Sequence, residues 1–278
     1  MLRVLDSYAE ILRTFSGQPF SLGAWRPYAE KISAALPRKC LADAEKYDFL
    51  RQVKPVLDFA CAHPAQMEAA HESFLAAVET LSERIRARFA VDLDADILFY
   101  LGLCSGAGWA TELDGRPAVL LGAEKIVELN WTGKTAMCGL LYHELGHLWH
   151  SQCRKAPSFE KTAPALWQLY TEGIAMFFEQ ELAGGPDFFH QDRDGWLSWC
   201  RENEGELFRE FWRQCKAGES VQDFFGDWCS YRGHSDIGYF LGAVLARNLS
   251  AAFGVRQLCD CTEQEVIRAL QGAAERNS

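Results

Sequence analysis

The stretch GLLYHELGHLWHSQC, residues 139–153, holds two histidines, His143 and His147, four positions apart, with Glu144 directly after the first. These residues match H-E-x-x-H, an arrangement in which two imidazoles one helical turn apart bind one zinc ion and the glutamate polarises its water. Composition alone rarely produces this spacing in a chain with seven histidines. The stretch therefore predicts a metal site on a helix.

A helix through this stretch carries both histidines on one face. At about 100° per residue they lie about 40° apart around the axis and about 6 Å apart along it. The opposite arc is apolar and predicts a face buried in the core. It consists of Met137, Cys138, Leu141, Tyr142, Leu145, Leu148 and Trp149. The histidine face then borders a cleft or, in the alternative interpretation, lies in the core with its imidazoles bonded to carbonyl groups.

A tetrahedral zinc site with an open position needs a third protein ligand. His150 lies about 10 Å along the axis from His143, too far to share one ion with it, so we expect it to contact a metal ligand or to lie in the wall of a cleft. Glu172, within LWQLYTEGIAMFFEQEL (166–182), lies on a helix that is apolar almost all round. An unpaired buried carboxylate there would cost several kcal/mol, which a metal ion would remove. Glu179, two turns later, is the alternative ligand or an exposed carboxylate.

HELGH at 143–147 followed by EGIA at 172–175 resembles the gluzincin group of zinc metallopeptidases. More loosely, the block from about residue 94 to 250 resembles uncharacterised predicted zinc-dependent proteases. The resemblance implies one Zn²⁺ ion held by His143, His147 and Glu172, with Glu144 as general base and acid. It leaves the first 90 residues uncovered.

Gluzincins typically stabilise the tetrahedral oxyanion with a tyrosine or histidine from a segment that follows the metal ligands. The stretch YRGHSDIGYFLGAVL, residues 231–245, offers Tyr239 and, as second choice, His234 for this role. The alternative for Tyr239 is a ring packed in the core with its hydroxyl at the surface.

Three short segments, DILFYLGL, GWATEL and AVLLGAEKI, have strand character, and the turn DGRP joins the last two as a hairpin. The resemblance implies that AVLLGAEKI is a sheet edge on which an extended peptide substrate adds as a strand. Glu124 in this segment is similar to the acidic residue with which zinc aminopeptidases hold a substrate's free amine. The alternative is a solvated charge on the edge.

The remainder of the chain has helical character, including an amphipathic first segment, MLRVLDSYAEILRTF, and a long segment from Pro64. Helices are predicted at about 132–153, 164–183 and 235–254. Thr262 and Glu265 form a capping-box pattern for a last helix. We expect an α+β, predominantly helical fold: a helical segment at 1–92 packed on a zincin-like domain at 93–278 with a small antiparallel sheet.

The amino-acid composition argues against some classes of binding partner. Twenty-eight basic against 38 acidic residues give a net charge of −10, which argues against nucleic acid. No apolar run approaches the roughly 18 residues of a membrane span. The ten cysteines form no CxxC pair, a pattern more typical of thiols in a reducing cytoplasm than of a disulfide framework.

These observations predict a cytoplasmic zinc-dependent peptidase that acts on a peptide or protein. Two alternatives stay open. One is a non-catalytic module that keeps the zincin fold as a scaffold or binding cleft, and the other is a zinc hydrolase of a non-peptide amide.

Overall fold

The computed structural model describes residues 1–15, 17–226 and 228–275. The chain is mostly helical with one small mixed sheet, which agrees with the predicted α+β class. It divides into two compact units, Met1–Leu148 and Trp149–Ser278. Residues 1–92, predicted as a helical segment packed on the core, lie in the same unit as the sheet. No helix among the described residues has the length and apolarity to cross a membrane.

The sheet of the first unit has four strands in the order β1-β2-β4-β3. They are β1 (Leu2–Asp6), β2 (Ala95–Tyr100), β3 (Gly108–Leu113) and β4 (Arg116–Gly122). β2 pairs in parallel with both β1 and β4, and only β3 runs antiparallel to its neighbour. The predicted antiparallel sheet is therefore wrong, although the three predicted strands and their hairpin are confirmed.

The first strand was not predicted from the sequence. The amphipathic segment MLRVLDSYAEILRTF starts as β1 and becomes helical only from Tyr8, whose N–H donates to the Asp6 carboxylate at 2.9 Å. Ion pairing holds β1 in the sheet, because the buried Asp96 of β2 accepts from Arg3 of β1 and Arg116 of β4. If residues 1–15 formed one helix, Arg3 would not pair with Asp96, and this buried carboxylate would keep only Arg116 as a cationic partner.

The first unit contains helices as well as the sheet, and the last of these helices continues into the second unit. The helices are α1 (Tyr8–Phe15), α2 (Leu22–Ile32), α3 (Leu36–Ala44), α4 (Lys54–Ala62) after a π-helical turn (Phe49–Val53), α5 (Pro64–Val78), α6 (Leu81–Phe89), α7 (Ala123–Glu128) and α8 (Lys134–Cys153). The segment predicted as one long helix from Pro64 thus forms two. α2 is fixed to the end of β2 by the Trp25 indole, which donates to the Leu101 carbonyl at 2.9 Å.

The second unit is helical throughout its regular elements. They are α9 (Pro164–Ala183), α10 (Trp196–Glu202), α11 (Glu204–Ala217), a 3₁₀ turn (Gln222–Phe224), α12 (Ile237–Phe253), α13 (Val255–Leu258) and α14 (Glu263–Glu275). The predicted bounds of α9 are confirmed. The capping box is confirmed too, since the Thr262 N–H donates to the Glu265 carboxylate at 2.7 Å and the Glu265 N–H to the Thr262 hydroxyl at 3.4 Å.

Two glycines let α9 and α12 cross with their backbones in contact. A Cβ atom on Gly242 would lie 2.8 Å from the Gly173 nitrogen and 3.0 Å from the Leu169 carbonyl oxygen. A Cβ atom on Gly173 would collide with the Gly242 carbonyl group. Gly173 directly follows Glu172, and Gly242 lies three residues after Tyr239, so this crossing fixes the two helices where predicted site residues lie.

Gly173→Ala or Gly242→Ala should lower the free energy of unfolding by about 1–3 kcal/mol, the usual cost of overpacking. Gly272→Ala is the matched control, because Gly272 also lies in a helix but a Cβ atom there meets nothing within 4 Å. The control should raise stability by about 0.4–1 kcal/mol through the lost freedom of the unfolded chain. Urea denaturation measures the stability of all three variants. Equal unfolding midpoints would contradict the close contact between the α9 and α12 backbones.

Candidate metal centre

His143, His147 and Glu172 bring three potential ligand atoms together, all within 4.8 Å of one another. Among the described residues no other group of three or more histidine, cysteine or acidic side chains meets this requirement. His143 is buried, and His147 and Glu172 are half-buried. The structure thus contains the triad that the sequence predicted as a possible metal site.

The two imidazoles already have the spacing of metal ligands. Their Nε2 atoms lie 3.2 Å apart, with the ring planes at 83° to each other. Zinc–nitrogen bonds of about 2.0–2.1 Å in a tetrahedron require a separation of about 3.3 Å between ligand atoms. Two imidazole nitrogens and one carboxylate oxygen are a donor set that zinc takes when a fourth position stays open. The residues present therefore fit a zinc ion.

The helix that carries both histidines is buried on its other side, as predicted. Six residues of the predicted apolar arc are at most 6% exposed, and the seventh, Cys138, is half-buried. Tyr142 of this arc accepts a hydrogen bond from Arg84 of α6 at 2.9 Å. This packing fixes the rotation of α8 about its axis and, with it, the direction of the two imidazoles.

Glu144 lies against the backbone of β3. Its Oε2 accepts a hydrogen bond from the Ala110 N–H at 2.7 Å. A Cβ atom on Gly108 would lie 2.5 Å from Oε1 and 2.6 Å from Cγ of Glu144, so only a glycine leaves room for this side chain. The carboxylate next to His143 is therefore held by the strand and has a defined orientation.

The strand in contact with Glu144, β3, is one of the two edge strands of the sheet. AVLLGAEKI was predicted to be this edge, which is wrong: β4 lies between β2 and β3, and the chain turns helical at Ala123. The two-residue turn at Asp114 and Gly115, both at positive φ, makes Leu113 and Arg116 a hydrogen-bonded pair. By alternation, the backbone groups of Ala110 and Glu112 point away from β4, towards the open side.

Glu124 takes neither of its predicted roles. It is completely buried, and its carboxylate accepts hydrogen bonds from the N–H groups of Gly102 at 2.7 Å and Cys104 at 3.0 Å. Burial raises the pKa of this carboxyl, and the two amides partly oppose the shift. It is thus not a solvated edge charge, and its oxygens already bind the loop between β2 and β3.

That loop determines where β3 begins. The Gly122 N–H of β4 donates to the Ala107 carbonyl at 2.9 Å, and a Cβ atom on Gly122 would lie 2.6 Å from the Gly106 carbonyl oxygen. Gly108, which follows Ala107 in the chain, is the residue that packs against Glu144. Glu124 and these tight glycine contacts therefore position the edge strand against the HExxH glutamate.

The two residues predicted as oxyanion donors lie in and just before α12. Tyr239 is half-buried in the first turn of α12, with its ring edge-on to Phe225 at 5.8 Å. His234 stacks on Trp199 at 3.7 Å and pairs through its backbone with Tyr231. Neither belongs to the ligand triad, and their predicted catalytic roles stay predictions.

Glu179 is neither an exposed carboxylate nor a member of the triad. It is completely buried, and its Oε1 accepts the His190 N–H at 3.1 Å and lies 2.9 Å from the His190 Nδ1. His190 was missed by the sequence analysis, although a carboxylate on an apolar helix signals that some partner must exist. His150 is buried and packs against the rings of Trp167 and Tyr170.

Removing one ligand should abolish tight metal binding. The purified protein should bind about one equivalent of Zn²⁺, and His143→Ala or Glu172→Gln should weaken binding by more than the about 10- to 100-fold that loss of an outer partner costs. His63→Ala is the control, since that imidazole bonds to the Phe59 carbonyl outside the triad. Calorimetric titration measures these affinities, and unchanged binding in the ligand variants would refute the site.

The raised pKa of Glu124 predicts a pH-dependent cost of replacing it. A carboxyl whose pKa is higher in the folded state stabilises the fold below the unfolded-state value and loses that contribution as pH rises through the folded-state value. Glu124→Gln lacks this titration. The stability difference between wild type and Glu124→Gln should therefore shrink as pH increases from about 4.3 upward. Unfolding in urea across this range tests the sign, and a widening difference would contradict it.

Comparison of the chain with protein-family models, with curated proteins and with solved structures gives no match. The case for the candidate metal centre therefore rests on its own residues and their geometry.

Proposed function

We propose that the chain is a zinc-dependent peptidase of the gluzincin type. The observation that carries the proposal is the convergence of His143, His147 and Glu172, with ligand atoms within 4.8 Å, in a chain whose H-E-x-x-H glutamate contacts an open sheet edge. His143, His147 and Glu172 would hold one zinc ion. When bound, zinc supplies a Lewis acid for the scissile carbonyl and makes a bound water more acidic.

The ligand charges suit this chemistry. Two neutral imidazoles and one carboxylate contribute a single negative charge, so a divalent ion keeps a net positive charge at the site. A site with more carboxylates or thiolates would lose this electrophilic character. His147 and Glu172 are half-buried, so solvent reaches part of each side chain.

Glu144 is the proton carrier in this proposal. Its Oε2 is oriented by the Ala110 N–H, and its Oε1 accepts a proton from the attacking water. Glu144 then returns this proton to the nitrogen of the leaving amine, so that the carboxylate is regenerated. General acid–base transfer of this kind contributes about 10²- to 10⁴-fold to the rate.

The substrate is an extended peptide that adds to β3 as a fifth strand. Glu112 directs its N–H and C=O, and Ala110 its C=O, to the open side, while the Ala110 N–H is held by Glu144; these free groups are what strand addition requires. Main-chain pairing with β3 would bring the peptide alongside the carboxylate of Glu144, because β3 would contact the peptide as well as Glu144. This mode of binding reads the peptide backbone and is largely independent of side-chain sequence.

Tyr239 is the proposed oxyanion donor, with His234 as second choice. Support comes from the glycine crossing of α9 and α12, which involves the residue after Glu172 and the residue one turn after Tyr239. A phenol hydroxyl in such a position would donate to the oxyanion, a contribution of about 3–4 kcal/mol in comparable sites. We place this activity in the cytoplasm as part of the proposal, because the ten cysteines are scattered along the sequence without a CxxC pair, unlike a disulfide framework.

A non-catalytic zincin-like module is the second candidate. The hydrogen bond from Ala110 to Glu144 favours it, because the carboxylate then has a structural role in joining α8 to the sheet. Such a module would keep its metal and its binding partner without turning over any peptide. Hydrolysis of non-peptide amides would appear as turnover of small amide substrates in the absence of peptide cleavage.

Glu144→Gln should reduce peptide turnover by about 10²-fold or more while zinc content stays near one equivalent, because the amide keeps the shape and loses the base. Glu160→Gln, at an exposed position, is the control and should match wild type. Cleavage of a mixed peptide library followed by mass spectrometry gives both rates. A zinc-loaded wild type without turnover, or a fully active Glu144→Gln, would exclude the peptidase and favour the second candidate.

A further inference from the structure

Two cysteine side chains meet at the end of α8. Cys153 is the last residue of this helix and is half-buried, and Cys259 lies between α13 and α14 and is buried. The two thiols are close enough for each to shift the pKa of the other. The two residues are far apart in sequence, so only the fold brings the sulfur atoms together.

The backbone around this pair is held by hydrogen bonds that do not involve the sulfurs. The Arg154 guanidinium donates to the Cys259 carbonyl at 2.7 Å. The N–H groups of Lys155 and Ala156 donate to the Asp260 carboxylate at 2.6 and 2.9 Å. The residues that follow each cysteine are therefore fixed side by side, and this backbone framework keeps the two cysteines next to each other within the second unit.

The environment makes the two thiols unequal. Interaction with the Cys259 thiol lowers the pKa of Cys153 to about 7, against the effect of burial. The same interaction, together with burial, raises the pKa of Cys259. Cys153 thus carries thiolate near neutral pH, which is the reactive form of cysteine, while its neighbour keeps a proton.

We propose that Cys153 and Cys259 are a redox-active dithiol that is oxidised to a disulfide by a low-molecular-weight disulfide such as oxidised glutathione. Cys153, the more accessible of the two, is the attacking sulfur, and Cys259 is the resolving one. The proposal concerns only the second unit and holds whether or not the chain is a peptidase.

The thiol–disulfide exchange proceeds in two steps. The Cys153 thiolate attacks one sulfur of oxidised glutathione, forms a mixed disulfide and releases one glutathione thiolate, which takes up a proton. Cys259 then loses its proton and attacks the Cys153 sulfur, which releases the second glutathione and forms the intramolecular disulfide. The two protein thiols lose two electrons and two protons, and one oxidised glutathione becomes two reduced ones.

Cys261 is the obvious competitor for Cys259 and is engaged elsewhere. Its Sγ contacts the Gln257 carbonyl at 3.6 Å, and burial raises its pKa to about 11. The proposed disulfide is therefore between Cys153 and Cys259 and not between Cys153 and Cys261.

The experiment exposes the full chain to buffers of increasing oxidised-to-reduced glutathione ratio, alkylates the remaining thiols and maps the peptides by mass spectrometry. The expected result is a linked Cys153–Cys259 peptide at ratios where Cys200 and Cys215 are still alkylated. Cys259→Ala should trap Cys153 as a mixed disulfide with glutathione, and Cys153→Ser should leave Cys259 reduced. Cys215→Ser is the control and should oxidise like wild type.

A second measurement keeps the proposal testable if a variant folds poorly. In the wild type, the rate of Cys153 alkylation should rise with pH around a midpoint near 7. In Cys259→Ala the midpoint should move upward, because the neighbouring Cys259 thiol is gone. Absence of the linked peptide, a link from Cys153 to Cys261, or a Cys153 midpoint equal to that of Cys215 would each overturn the proposal.

Discussion

The hydrogen bond between the Ala110 amide and the Glu144 carboxylate joins the HExxH helix to the edge of the sheet. It depends on a chain of close contacts: Glu124 binds the loop after β2, the glycines of that loop fit against β4, and Gly108 leaves space for the carboxylate. Each contact is short-range and steric or hydrogen-bonded. Together they determine the position of one side chain relative to one strand, which is the requirement for a preorganised site.

The positions of the three candidate metal ligands depend on the geometry of helices α8 and α9. Four residues of α-helix put the His143 and His147 nitrogens 3.2 Å apart, and burial of the opposite face of α8 fixes their direction. Glu172 comes from α9, whose path is constrained by its crossing with α12 at Gly173. The glycine of the E-G-x-A sequence thus has a packing role that is separate from the ligand role of the glutamate before it.

Local patterns predicted local features. The two histidines, Glu172, the bounds of α9 and the Thr262 capping box follow from spacing, burial cost and cap chemistry within a few residues. The sheet was predicted less well, because strand order depends on partners far away in sequence: β1 lies in a segment with helical periodicity, and its parallel pairing with β2 spans more than 90 residues. For the same reason, the position of β4 inside the sheet and the burial of Glu124 had no local signal.

The open side of β3 also bears on self-association. Bare sheet edges tend to pair with the same edge of another copy and so lead to aggregation. Here the amide of Ala110 is already occupied by an acidic side chain, and Glu112 adds an exposed charge two residues along. Two copies that approached edge to edge would bring four carboxylates together and leave amides mismatched. The edge therefore disfavours pairing with the same edge of a second copy.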